Sequence, residues 1–383
     1  MIQVYERKAK CCGCAACYSK CPVQAIRMQE DEEGFLYPLI DAEKCIDCGQ
    51  CRAVCPVVQR ETAAFTESLR CAYAARSRNE DTLRLSSSGG VSYELARHVL
   101  SEGGKAAGAV WGPNFQVQHA VVDQEKSLAG MQGSKYVQSA IGEVFSEILA
   151  LLQKGETVLF TGTPCQVEGL LSFLPRKFQN LITQDLICHG VPSPKIWDQY
   201  LRESGYRETA KDISFRDKES GWEFSSFSVR TAKGKKITPI YKNAYTYFFL
   251  ENFSLRPICF ACPFKTEKKV SDLTCADLWG MREILPDPPT DDKGMSLVIA
   301  NTARGKAVLN EMGDQLTLES CDYTKAVQGN LMMVKSVARQ PLRERFFQDA
   351  EKRTLKKCFR KYKPKDPLLL AIKKKAYHML KNG

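Results

Sequence analysis

Residues 11–22 read CCGCAACYSKCP and residues 45–56 read CIDCGQCRAVCP, so one cysteine pattern that ends in proline occurs twice near the start of the chain. In each copy the cysteines are separated by two, two and three residues. Three thiolates on one tight loop can hold three corners of an iron–sulfur cube, and the fourth ligand has to come from elsewhere. The repeat therefore predicts two [4Fe–4S] clusters in one small module.

In paired runs of this kind the last cysteine of each run serves the other cluster. This rule assigns Cys11, Cys14, Cys17 and Cys55 to the first cluster and Cys45, Cys48, Cys51 and Cys21 to the second. A zinc site or a disulfide framework fits less well, because zinc ligands usually come as two separated Cys-x2-Cys pairs. Cys12 falls outside the register and is interpreted as a bystander. Residues 1–60 are thus predicted to form an α+β, ferredoxin-like domain that transfers electrons.

The length of the chain requires more than this module. The sequence has 383 residues, 44% of them apolar, whereas a ferredoxin module needs only about 60, so at least one further domain is expected. Seventeen cysteines without an N-terminal signal sequence indicate a reducing, cytoplasmic compartment. No apolar run approaches the roughly 18 residues of a membrane span.

The positive charge is concentrated at the carboxyl end. The net charge is +11, and residues 351–383 alone hold twelve Lys or Arg against two acids. The rest of the chain is almost neutral, so a nucleic-acid partner is not predicted. Residues 341–383 are expected to be a basic tail. It is either a solvated basic extension with a helix docked on the body of the protein, or an interfacial helix that places the protein peripherally at the inner face of the membrane, on anionic lipids.

The region between the module and the tail, residues 61–340, alternates between two kinds of pattern. After a polar linker at 58–69, helical periodicity alternates with short apolar runs typical of strands. Helices are predicted at 90–100, 144–152, 167–174 and 245–253, and strands at 106–111, 116–122, 157–161 and 181–187. This alternation predicts an α/β domain with a mainly parallel sheet. Residues 212–242 predict an added antiparallel, β-rich part.

Two loops between strands and helices are candidate ligand sites, because ligands bind at the carboxyl ends of such strands. Residues 86–90 read SSSGG and residues 162–165 read GTPC. The first offers backbone N–H groups at a helix N-terminus, which suits a phosphate; the alternative is a serine N-cap beside flexible glycines. Neither GxGxxG nor GxxxxGK[ST] occurs in the chain, so a classical dinucleotide fold is not predicted.

A second set of cysteines follows the repeat. Cys259 and Cys262 form a Cys-x2-Cys pair that needs two more ligands for one metal centre. Cys165 and Cys188 each follow a predicted strand, and Cys275 is a rival ligand. A third iron–sulfur cluster, a zinc site and a set of buried thiols all remain open on this pattern alone.

Seven short stretches, in this order and spacing, resemble the coenzyme F420 hydrogenase/dehydrogenase beta subunit family, in its bacterial form with a fused N-terminal ferredoxin domain. They are SSGGV (87–91), GSKYVQS (133–139), GTPCQ (162–166), DLICHGVPSP (185–194), FRDK (215–218), RPICFAC (256–262) and ADLWG (276–280). The resemblance spans residues 1–303.

The resemblance implies an iron–sulfur flavoprotein oxidoreductase whose α/β domain binds FAD and a third [4Fe–4S] cluster. It places the flavin at Ser88, Gly89, Gly90, Ser134, Lys135 and Tyr136, and the cluster at Cys165, Cys188, Cys259 and Cys262. Lys135 would neutralise the charge of a pyrophosphate or of a flavin. The alternative is that Lys135 is a solvated loop lysine. His189, beside a ligand, is interpreted as a structural hydrogen-bonding residue. No acid–base catalyst is identified.

The function implied by the resemblance is the conversion between electron-pair transfer and single-electron transfer. A flavin exchanges a hydride or an electron pair, and a cluster takes one electron at a time. A small-molecule hydride donor or acceptor, with coenzyme F420 as one candidate, would react at FAD, and the clusters would connect it to a ferredoxin-like or other redox partner. The alternative is an electron-transfer subunit of a larger complex that has no small-molecule substrate of its own.

Overall fold

The computed structural model describes residues 4–62 and 68–364. The strands are β1 (Ile26–Glu30), β2 (Leu36–Ile40), β3 (Cys71–Ser77), β4 (Lys105–Trp111), β5 (Val117–Val122), β6 (Val158–Gly162), β7 (Leu181–Leu186), β8 (Ala210–Asp217), β9 (Ser226–Thr231), β10 (Gly234–Pro239), β11 (Leu273–Asp277), β12 (Ser296–Ala300) and β13 (Leu316–Ser320). The helices are α1 (Ala16–Lys20), α2 (Gln50–Ala53), α3 (Pro56–Thr62), α4 (Glu80–Leu85), α5 (Val91–Ser101), α6 (Glu125–Leu128), α7 (Val144–Gln153), α8 (Pro164–Phe173), α9 (Pro194–Ser204), α10 (Tyr206–Thr209), α11 (Ala244–Leu250), α12 (Met281–Ile284), α13 (Ala303–Glu311), α14 (Tyr323–Gln328), α15 (Arg343–Lys352) and α16 (Leu355–Tyr362).

The central sheet has eight strands in the order β13-β3-β12-β11-β7-β6-β4-β5. Within this described sheet, only β4, β6, β7 and β11 pair in parallel; the pairs of β5 with β4, β12 with β11 and β3, and β13 with β3 are antiparallel. The sheet is therefore mixed, and the prediction of a mainly parallel sheet holds for its centre alone. The β4–β5 connection is too short for a crossover helix, so these strands pair as an antiparallel hairpin.

Side chains of the central strands alternate between two helical layers. Val158 and Phe160 of β6 face a core that contains α7 and α8, and Leu159 faces a core that contains α5 and α13. Strand side chains point to opposite faces in turn, which explains why these buried strands are apolar throughout. The predicted helices and strands of this region are present, with ends that differ by a few residues.

The predicted antiparallel part is a separate sheet in the order β10-β9-β8. Its core contains aromatic rings from α9, α11, α15 and α16. Residues 343–362, which were expected to begin the basic tail, are thus packed helices: Phe346 and Cys358 are both fully buried. The apolar stripe, not the surrounding lysines, decides where this segment lies. The helical face predicted from Leu369 to Leu380 lies outside the described residues.

The first module packs directly on the α/β domain. Helix α3 occupies part of the predicted linker and ends at Thr62, and Val57 on it is buried in the core that contains α8. The guanidinium Nε of Arg60 donates to Oε2 of Glu168 at 2.7 Å, and each side chain is only 8% exposed. A second ion pair joins the module to α15, where Nη1 of Arg343 donates to Oε1 of Glu33 at 2.7 Å.

Among the described helices, none combines the length and apolar character needed to cross a membrane.

We expect Arg60→Ala to destabilise the fold by about 3–5 kcal/mol, because it leaves the buried Glu168 carboxylate without its cation. The exposed pair of Arg84 and Asp81 is the matched control, and Arg84→Ala should cost less than about 1 kcal/mol. Thermal unfolding of both variants under anaerobic conditions measures the difference. Equal unfolding midpoints would show that the Arg60–Glu168 contact does not hold the module in place.

Candidate functional site

The first cysteine run forms a loop around a cavity. Gly13 has a φ of +73°, and a β-carbon there would lie 2.7 Å from Nε2 of Gln138 and 2.8 Å from Nη1 of Arg256. Only glycine fits such a turn. The thiol-bearing residues that line the cavity are Cys11, Cys12, Cys14, Cys17 and Cys55. Four of them are the ligands predicted for the first cluster, and Cys55 is supplied by the second run.

The second run forms the outer end of the module. Burial raises the pKa of the Cys51 thiol, and the neighbouring Cys45 and Cys48 raise it further. Cys21 and Cys51 both pack against the small apolar cluster that contains Cys17. The structure thus brings all the thiols predicted for the second cluster to one end of the module, where Cys48 is exposed.

A second cavity lies in the α/β domain. Cys165 is the second residue of α8, directly after β6, and Cys188 follows β7. The carboxyl ends of these parallel strands meet at one edge of the sheet. Cys259 and Cys262 arrive from a short 3-10 turn at Pro257–Ala261. The five thiols that line the cavity belong to Cys12, Cys165, Cys188, Cys259 and Cys262.

Cys275 is placed elsewhere. It lies within β11 and is buried in the core that contains Leu95 and Val99 of α5. Burial raises the pKa of its thiol to about 12. Cys275 is not among the residues that line the cavity, so Cys165 and Cys188 are better placed than this rival to complete the pair of Cys259 and Cys262.

Burial governs the protonation of the cavity thiols. It raises the pKa of Cys188 to about 12, and it raises that of Cys259 as well. Metal-free thiols of this kind keep their protons at neutral pH, so a metal centre has to displace protons when it binds. In the ranges 4–62 and 68–364, no three His, Cys, Asp or Glu side chains come close enough to hold one metal ion. The thiols instead line the two cavities. Several thiols around one cavity are a donor set that suits an iron–sulfur cluster.

Cys12 belongs to the walls of both cavities. Its thiol interacts with the thiols of Cys14 and Cys165, and it is 8% exposed. The interpretation of Cys12 as a bystander therefore misses its position between the two sites. The adjacent cysteines at 11–12 were the sequence signal for this position, but the spacing rule excluded Cys12 from the predicted cluster ligands.

The two loops expected to hold the flavin lie against each other. The Ser134 N–H donates to Oγ of Ser87 at 2.7 Å, and the two hydroxyls are 2.9 Å apart. The Gly89 N–H, expected to be available to a phosphate, instead donates to Oγ of Ser296 at 2.9 Å. A β-carbon on Gly89 would lie 2.4 Å from the carbonyl oxygen of Ala75, so this glycine serves close packing on the sheet.

Two lysines border these loops. Nζ of Lys135 donates to the carbonyl oxygen of Gln132 at 3.2 Å, and Nζ of Lys218 donates to that of Ser88 at 2.9 Å. Burial lowers the pKa of both ammonium groups to about 8, and Arg216 lowers that of Lys218 further. Lys135 is therefore not the solvated loop lysine that was the alternative. Lys218, which was not predicted as a site residue, lies in the FRDK stretch.

Arg216 is a further buried cation beside the two loops expected to hold the flavin. Its guanidinium pairs with Asp277, Nη1 to Oδ2, at 2.8 Å and lies 5.5 Å from the ring of Trp279. Its Nε is buried without a hydrogen-bond partner in the described part of the chain. Tyr136 is its neighbour and stacks on Phe249 with ring centroids 4.8 Å apart. A buried N–H without an acceptor, among cations and aromatic rings, fits a polar, anionic ligand such as a flavin nucleotide.

His189 has a structural role. Its Nε2 lies 2.8 Å from Oδ1 of Asn252, which accepts the hydrogen bond. Burial lowers the pKa of the imidazole to about 4, so the ring is neutral at pH 7. This agrees with its interpretation as a hydrogen-bonding residue.

Two family models match the two parts of this architecture. The family model for the C terminus of the coenzyme F420 hydrogenase/dehydrogenase beta subunit matches residues 155–326, and a 4Fe-4S dicluster domain matches residues 10–58. No curated protein matches the chain. A chain of the xenon-derivatized F420-reducing [NiFe] hydrogenase complex from Methanosarcina barkeri is 18% identical, with a TM-score of 0.47 over 67% of this chain and 83% of that one.

We expect Cys262→Ser to remove about four irons per chain, because a [4Fe–4S] cluster needs its thiolates, and Cys275→Ser to leave the iron content unchanged. Iron analysis of both variants, purified without oxygen, makes the comparison. Iron loss from Cys275→Ser with full retention in Cys262→Ser would assign the ligand role to Cys275.

Proposed function

We propose that this chain, a member of the coenzyme F420 hydrogenase/dehydrogenase beta subunit family, is an iron–sulfur flavoprotein oxidoreductase. Its family region lies at residues 155–326, and its 4Fe-4S dicluster domain lies at residues 10–58. The proposed enzyme exchanges a hydride or an electron pair with a small molecule at FAD. It passes single electrons through three [4Fe–4S] clusters to or from a ferredoxin-like partner.

One observation supports this proposal above the others: the two thiol-lined cavities share the side chain of Cys12 in their walls. Sites in contact through one residue suit single-electron transfer between them without domain movement. When bound, FAD supplies the exchange between electron pairs and single electrons that clusters cannot perform. Cys165, Cys188, Cys259 and Cys262 would hold the cluster on the flavin side.

In this proposal, the two loops and the neighbouring lysine and arginine side chains bind the flavin. Ser88, Gly90, Ser134 and Tyr136 would line the site, while Gly89 supports the loop from behind. Lys135 and Lys218 would hold the pyrophosphate as ammonium groups, and Arg216 would donate its Nε–H to a polar atom of the cofactor. Neither His189 nor an acidic residue is needed as a proton donor, since a hydride is the transferred group. The small-molecule hydride donor or acceptor would be a deazaflavin of the F420 type or a nicotinamide.

The second candidate function is an electron-transfer subunit that works only inside a complex. The observation that favours it lies at the outer cluster, where Cys48 is exposed and the neighbouring Ile46 is 63% exposed. An exposed apolar side chain beside a redox centre suits docking of a protein partner. This surface serves a partner in either function, so the small-molecule reaction decides between them.

The composition of the protein tests the proposed function. We expect anaerobically purified protein to contain about twelve irons, as three [4Fe–4S] clusters require, and one FAD. Absorbance that bleaches when reduced F420 or NADPH is added to the isolated chain would support the oxidoreductase. A full cofactor content without a response to any small-molecule donor would favour the electron-transfer role, and about eight irons without flavin would overturn the flavoprotein proposal.

Flavin retention should also depend on pH. Because the pKa values of Lys135 and Lys218 are about 8, both side chains are cations below that pH and lose their charge above it. We expect FAD to be held more tightly at pH 7 than at pH 9, as measured by flavin release on gel filtration. Lys218→Met should weaken binding at pH 7 and reduce the pH dependence, whereas Lys154→Met, at an exposed surface position, should change neither. Release that is independent of pH would exclude a role for these ammonium groups.

A further inference from the structure

A fully buried arginine lies between the two thiol-lined cavities. Arg256 has an exposed fraction of 0%. Its Nε donates to the carbonyl oxygen of Cys11 at 2.8 Å, and Nη2 lies 3.6 Å from Sγ of the same residue. Nη2 also donates to the carbonyl oxygen of Leu36 at 3.0 Å. One side chain therefore binds both the first cysteine loop and the β1–β2 hairpin of the module.

The guanidinium has no carboxylate partner within the described part of the chain. Its other neighbours are neutral: Nη1 lies 3.4 Å from Oε1 of Gln138, and the ring of Tyr37 is 4.0 Å from the guanidinium carbon. A buried charge is costly unless an opposite charge compensates it. Other buried arginines of this protein have such a partner, as Arg60 has in Glu168 and Arg343 has in Glu33.

The missing negative charge is available from the thiolates. Arg256 lines the cavity of the α/β domain together with Cys12 and Cys259, and it contacts Cys11 of the module cavity. A [4Fe–4S] centre held by four thiolates is an anion whose negative charge grows by one on reduction. A fixed cation in a dry interior stabilises the reduced form more than the oxidised form, and N–H groups directed at sulfur act in the same direction.

We propose that Arg256 is a positioning residue that holds the first cysteine loop against the α/β domain and raises the reduction potentials of the two inner clusters. This inference rests on the proposed function, since it requires clusters at Cys11, Cys14, Cys17 and Cys55 and at the domain cavity. The outer cluster, on the far side of the module, receives little of this effect. The inner pair is thereby made the favoured location for an electron.

Two variants of the full-length protein change the charge in different ways. Arg256→Gln removes the cation, and Gln138→Glu adds a carboxylate of nearly the same shape beside Nη1 while Arg256 stays in place. Arg52→Gln is the matched control, because Arg52 follows Cys51 in the module but is exposed. Reduction is followed by electron paramagnetic resonance in an anaerobic titration with dithionite and redox mediators, alongside the iron content.

We expect Arg256→Gln and Gln138→Glu each to lower at least one midpoint potential by 59 mV or more, a tenfold loss in the equilibrium constant of a one-electron reduction. The midpoint potential of the outer cluster should stay unchanged, and Arg52→Gln should shift no midpoint potential by that amount. If Arg256→Gln loses iron, the result supports the positioning role, and Gln138→Glu tests the electrostatic one.

Unchanged midpoints in iron-replete Gln138→Glu and Arg256→Gln proteins would overturn the inference, as would an equal shift of all three clusters. Failure of the proposed function is recognised separately, because the unmodified protein would then lack the clusters before any variant is measured.

Discussion

Helix α8 approaches the first cysteine loop so closely that a β-carbon on Gly169 would lie 2.8 Å from the β-carbon of Cys14. The same helix carries Cys165 near its first residue and Glu168 in its second turn. One helix therefore determines the distance between the two thiol-lined cavities, supplies a ligand candidate to one of them and pairs with Arg60 of the module. Because interiors are packed without spare volume, the module and the α/β domain have one relative position that satisfies all three contacts.

The interior of this protein contains several buried cationic side chains. Lys269 is buried with Asp185, Arg216 with Asp277, and Arg256 beside thiols. Each of these cations lies near a cavity or loop for which we propose a cofactor with negative charge. The paired carboxylates already offset the burial of Lys269 and Arg216, whereas the burial of Arg256 would be offset by an anionic cofactor. Cofactor binding and folding are therefore expected to be coupled in this chain.

Local sequence patterns predicted the features that depend on local spacing. The grouping of the module's cysteines, which remain candidate ligands, follows from their intervals, and the central strands follow from short apolar runs such as 157–161. Features that depend on the approach of distant segments were not predictable. The place of Cys12 between two cavities, the use of the Gly89 N–H by Ser296 and the lack of a carboxylate beside Arg256 among the described residues each require the folded chain. The helices at 343–362 were obscured by lysines, although Phe346 and Leu355 carried the apolar signal.

The ion pair of Glu33 and Arg343 joins residues that are 310 positions apart. A contact of such long sequence separation forms late, because nearly the whole chain has to be synthesised and ordered first. The cysteines of residues 11–55 leave the ribosome before the segments that pack against them, with their mutual spacing in the sequence already set. The segments that contact the module follow in the order of translation: first α8, then Arg256 and finally Arg343, which pairs with Glu33. The order of the chain thus leaves a period during synthesis in which the predicted ligands of the module's clusters have all been synthesised but are still open to solvent.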